Sequence, residues 1–158
     1  MQPSFGVAIV LSCVALGCGS DRHTDADYVG PRQTGFKPDV TFSVFITTPS
    51  PGPNTTSRDS PFAANELLNL QQPPVITKLD VSGALLEEAP GQWATVTVHL
   101  TPEAAKRFAN SVKTTGRDYA VLLNDEVVAV QQLSEQQDGS SIALRESMVI
   151  PDLRSVLK

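Results

Sequence analysis

Two kinds of apolar spacing divide the chain. Residues 39–47 (DVTFSVFIT) alternate, with Val40, Phe42, Val44 and Ile46 on one side and Thr41, Ser43 and Thr47 on the other. A period of two in β-branched and aromatic residues predicts a strand. Residues 93–100 (WATVTVHL) repeat it, with Ala94, Val96, Val98 and Leu100 on one face. The spacing then changes. Ala105, Phe108, Ala109 and Val112 fall at i, i+3, i+4 and i+7, the apolar stripe of a helix. Thr101 can accept from a free amide at its start, Pro102 lacks the amide that would go unpaired, and Glu103 complements the helix dipole. Gly116 is expected to end it.

Other elements follow from weaker patterns. Residues 119–123 and 127–133 flank Asn124-Asp125-Glu126 and predict a hairpin, because Asn and Asp tolerate left-handed backbone angles. Residues 66–70, 75–79 and 140–149 are expected to be strands. Residues 80–88 (DVSGALLEE) offer Asp80 or Ser82 as an N-cap and precede Pro90-Gly91, which predicts a helix. Residues 151–158 predict a second short one. Residues 48–61 hold four prolines and are expected to be a loop. The set defines an α+β fold, a single domain with an antiparallel or mixed β-sheet and two or more helices packed on one face. Val127, Val128, Ala129 and Val130 break the alternation as a continuous apolar run. One of their faces belongs to the core, and the other needs a cover or a partner. A helix of this same chain, 80–88 or 151–158, is the expected cover, with partner binding the alternative.

The amino terminus has its own pattern. Residues 5–16 (FGVAIVLSCVAL) carry no charge, and ionisable residues begin at once with Asp21, Arg22, His23 and Asp25. A helix crosses a bilayer with about 20 residues, so this shorter run suits the hydrophobic region of a secretory signal peptide. Ala15-Leu16-Gly17-Cys18 resembles the lipobox of bacterial lipoproteins, in which the Cys becomes the lipidated first residue. The expected organisation is a signal peptide at 1–17, a lipidated Cys18 with a flexible tether to 38, and a folded domain at 39–158. Cys13 is a rival lipid site that leaves a shorter run. A plain signal peptide, an uncleaved anchor or a misplaced start codon are the other readings. Both cysteines lie within the first 18 residues, so no disulfide or Cys-based metal site is expected in the domain.

Composition narrows the partners. The net charge is −5, with no run of Lys or Arg, which argues against nucleic acid and against attraction to anionic lipids. The membrane is expected to be reached through the lipid alone, as a bacterial envelope protein. Gly19 after the Cys resembles the outer-membrane pattern of diderm bacteria. No metal motif, nucleophile elbow, phosphate loop or Cys–His pair occurs. No enzyme activity and no cofactor are expected. His99 faces away from the apolar stripe of its strand, and Trp93 is expected to pack beneath a helix. Asp80, Glu87 and Glu88 are expected to serve as caps and solvated charges.

Residues 96–144 resemble the head subdomain of the first periplasmic domain of SecD, the membrane subunit that assists protein export. The resemblance rests on the strand at 96–100, Ala104-Ala105 with Phe108, and Gly116-Arg117. It continues through 120–123 with Asp125, 127–130, and Gly139 before Ile142. Val75-Ile76-Thr77, Asp80-Val81 and Ala84 resemble the lead-in, and Pro151-Asp152-Leu153 the start of the following helix. Glu126 and Gln131-Gln132 stand where that family has Gly and Pro. The resemblance implies a non-enzymatic envelope domain that binds polypeptide or an envelope protein partner. A structural subunit without client binding is the alternative.

Overall fold

The computed structural model describes residues 30–88, 91–115, 118–133, 138–147 and 152–158. In chain order its elements are β1 (Arg32–Thr34), β2 (Phe42–Thr48), β3 (Thr55–Asp59), β4 (Leu67–Gln71), β5 (Ile76–Thr77) and β6 (Val81–Glu87). β7 (Thr95–Leu100), α1 (Pro102–Thr115), β8 (Tyr119–Leu123), β9 (Glu126–Gln131) and β10 (Ser141–Arg145) follow. Short 3-10 turns lie at Lys78–Asp80 and Leu153–Val156. β1-β6-β7-β10 form one sheet and β3-β4-β2-β8-β9 a second, with β5 also paired to β2. Every strand pairing is antiparallel.

One core joins the two sheets. Val44 and Ile46 of β2, Val121 of β8, Val96 and Val98 of β7 and Leu144 of β10 share a single buried cluster with Phe108 and Val112 of α1. The helix forms where its spacing predicts, and Thr101 Oγ1 accepts from the Ala104 amide at 3.4 Å. Ala104 is the fully buried member of its small-residue pair, while Ala105 is only partly covered. The expected stop at Gly116 lies outside the described residues.

A second cluster lies on the opposite face of β2 and β8. Phe45, Leu70, Ala120, Leu122 and Val127 are buried together there, with Leu68 and Val130 against them. All five residues of β8 are therefore buried, alternately toward one cluster and the other. β4 pairs with β2 only through Thr47–Leu70 and Thr48–Asn69, yet pairs with β3 along five positions. Freed from β2, the β3–β4 hairpin bends over β8 and seals it with Leu68 and Leu70. Asn69, the buried polar residue of that hairpin, accepts from Ser57 Oγ at 2.8 Å and donates to the Thr48 carbonyl at 3.5 Å.

Five expectations about the elements are corrected, the first because Thr55–Asp59, within the expected loop at 48–61, form the strand β3 against β4. The expected helix at 80–88 is instead the strand β6 (Val81–Glu87), because Ala84 and Leu86 point into the core and pair with Val98 and Val96. The acidic N-cap signal at Asp80 belongs to the 3-10 turn before it. Residues 151–158 supply a 3-10 turn, so α1 is the one α-helix among the described residues rather than one of two or more. The cover over the second face of β8–β9 is the β3–β4 hairpin, not a helix. Part of the expected tether is folded: β1 pairs with β6, and Phe36 is buried, stacking on Phe42 with ring centroids 5.1 Å apart. Lys78 fastens this entry segment, its Nζ donating to the carbonyls of Lys37, Pro38 and Val40 at 2.5, 2.9 and 2.8 Å.

Candidate functional site

Of the carboxylates named for caps and solvated positions, Glu87 is exposed, while Asp80 and Glu88 are tied into the fold. Asp80 Oδ2 accepts from the Thr77 amide at 2.8 Å, and its Oδ1 meets Arg107 at 2.7 Å. Burial pushes the Asp80 carboxyl up, but the bonds from Arg107 and Thr77 outweigh it and hold the group below its usual range. Glu88 pairs with Arg32 at 3.2 Å and with Arg154 at 2.6 Å. Arg154 also reaches the buried Glu146, at 3.5 Å, whose Oε2 accepts from the Ala94 amide at 3.1 Å. Tyr119 donates to Gln131 Oε1 at 2.7 Å, and Gln131 donates to the Ala143 carbonyl at 2.7 Å. This relay joins the start of β8 and the end of β9 to the middle of β10, and burial pushes the Tyr119 hydroxyl up to about 12, keeping it a donor.

Candidate chemistry is sparse. Among the described residues no group of three or more His, Cys, Asp or Glu is placed to hold a metal. His99 is exposed on the outer face of its sheet. Trp93 is half exposed, at 50%, and not packed beneath a helix. Among the described residues α1 is the one α-helix, and it packs on the core face of β7 rather than on its outer face.

The apolar run at 127–130 is resolved by a β-bulge. Val121 lies opposite Ala129 but Leu122 lies opposite Val127, which leaves Val128 as the extra residue. Val128 and Ala129 consequently both turn to the main core, while Val127 and Val130 turn to the second cluster. The run is thus largely covered. Val127 is buried and Val128 half-buried, and both border a groove.

Val127 and Val128 line a groove of about 570 Å³. Residues 58–61, at the end of β3 and the turn after it, form one wall. The β8–β9 turn forms another, where Asn124 and Asp125 both have positive φ, 50° and 65°. That geometry suits a two-residue hairpin, and Asn124 Oδ1 anchors it by accepting from the Thr41 amide at 3.0 Å. The third wall is the final 3-10 turn, with Asp152, Leu153, Ser155 and Val156. Asp152 caps it, accepting from the Ser155 amide at 3.1 Å. Of the run Val127, Val128, Ala129 and Val130 that the sequence offered for a partner, Val127 and Val128 line this groove, and the walls at 58–61 and 152–156 were not foreseen. Their only signal was the Asx capping chemistry of Asp152. Cys18 lies outside the described residues.

With this geometry in place, two solved structures compare with the chain. One is of SecDF, a membrane component that enhances protein export, at TM-score 0.53 and 14% identity, covering 77% of this chain and 61% of that one. The other is a crystal structure of SecDF in a super-membrane-facing form, at TM-score 0.50 and 19% identity, covering 75% of this chain and 20% of that one. This chain thus spans about three fifths of the first and a fifth of the second. No protein-family model and no curated protein matches it. The domain has a SecD-like fold. Among the described residues no helix is long and apolar enough to cross a membrane.

Proposed function

We propose that this chain is a lipid-anchored envelope protein whose SecD-like domain binds polypeptide, without catalysis, in connection with protein export. The observation that carries the reading is the groove floored by Val127 and Val128. It is open, partly apolar and walled by three segments. An extended chain needs such a groove, or a free strand edge, to gain side-chain burial and main-chain bonds. β3 is an edge strand, paired to β4 alone, and its last two residues stand in one wall. The likeness to SecDF supports an export role through the fold.

The test is a titration of unfolded peptide into the chain from residue 19 onward, followed by backbone amide signals. Shifts should cluster on residues 58–60, 123–128 and 152–156. A flat response at millimolar peptide would leave the structural-subunit reading in its place.

Anchoring is proposed at Cys18, the lipid site that keeps the longer apolar run. Cys18→Ser is expected to abolish labelling by palmitate and to free the protein from membranes or leave it unprocessed. Palmitate entering the Cys18→Ser protein would place the lipid elsewhere.

A further inference from the structure

Resting on the reading of the groove as a polypeptide site, we propose that it selects extended segments that carry lysine or arginine beside apolar residues, and disfavours acidic ones. Asp59, Asp125, Glu126 and Asp152 all line it and all are exposed, against one cation, Arg58. None of the four forms an ion pair with a described residue. Four exposed carboxylates against one cation thus border a groove that is also lined by apolar residues, which leaves their charge for an occupant.

The backbone beneath each carboxylate is set by its element, and Asp152 is also held by the Ser155 amide. Asp59 ends β3 and Glu126 begins β9. Asp125 sits in the tight turn and Asp152 caps the last 3-10 turn, both with left-handed backbone angles. Fixed charges of one sign around a cleft favour complementary segments and penalise like charges. Val127, Val128 and Val156 add apolar contact that a bare cation cannot use.

The experiment uses two unstructured peptides of identical valine, threonine and glutamine framework, one with three lysines and one with three glutamates. Each is titrated into the chain from residue 19 onward at low and at physiological salt, with amide signals as readout. The lysine peptide should bind the groove on the order of tenfold more tightly at low salt. The gap should narrow as the screening length falls to about 8 Å at physiological salt. Asp125→Asn with Glu126→Gln should shrink it as well, since Asn keeps the left-handed turn. Equal binding of both peptides, or a lysine peptide insensitive to the double variant, would overturn the charge selection while leaving the polypeptide site intact. Spermine moving the same signals as strongly would overturn it too, because spermine has no apolar side chain to place on the valines. Groove signals that respond only to protein concentration would assign the groove to a second copy. No groove response to either peptide would instead remove the proposed function itself.

Discussion

Phe108→Ala is expected to destabilise the domain by about 3–5 kcal/mol. Its ring is fully buried in the cluster that receives side chains from both sheets, and it meets Tyr119 edge-on with centroids 4.9 Å apart at 87°. Removing it opens a cavity among Ala104, Val112 and the strand residues, and leaves the Tyr119 ring without its partner. Few neighbours can collapse into the space, because strands border it on two sides. A domain possesses roughly 5–15 kcal/mol in all, so the variant stands near its unfolding threshold. Denaturant titration of the two proteins measures the difference. A change of under about 1 kcal/mol, the level of an ordinary point mutation, would mean that α1 does not close the core.

Gly139→Ala is expected to cost about 2–4 kcal/mol. Gly139 has φ +76°, a region that L side chains seldom adopt, which alone costs about 1–3 kcal/mol. A methyl group there would also lie 3.1 Å from Ala109 Cβ and 3.2 Å from the Ala105 carbonyl oxygen. Both contacts are on α1, so relief requires the helix to shift. The backbone before β10 passes directly over the helix, where only small groups fit. Thermal or denaturant unfolding of Gly139→Ala checks the magnitude. Combining it with Ala109→Gly should recover part of the loss by removing the nearest contact, despite the cost of about 1 kcal/mol that a helical glycine carries.

The most legible elements present alternate residues, or a single stripe, to the main core. β2, β7 and α1 follow their apolar spacing because each presents a single side to the main cluster. β6 was misread because Leu85 and Leu86 are adjacent, and because Asp80 and Ser82 imitate a helix start. Its true signal, Ala84 and Leu86 two apart, is only two residues long. β3 (TTSRD) buries none of its side chains, so no period marks it, and prolines on either side suggested a loop. β1 likewise owes its place to pairing with β6 rather than to its own composition. At the groove, the missing alternation of 127–130 was visible, but its cause, a one-residue bulge, depends on the register with β8. The walls come from residues near 60, 125 and 153, and nothing local brings such distant segments together. Their carboxylates read separately as a strand end, a turn and a cap.

The two ends of the folded unit lie side by side. Phe36 bridges to Leu157, the Lys158 amide donates to the Gly35 carbonyl at 2.9 Å, and Thr34 Oγ1 donates to the Lys158 carbonyl at 3.0 Å. A unit with adjoining entry and exit can be spliced into the loop of a larger host without prising the host's flanking residues apart. It can equally hang from a single leash. One architecture is therefore compatible with a graft within a long polypeptide and with a tethered unit, with no change to its interior.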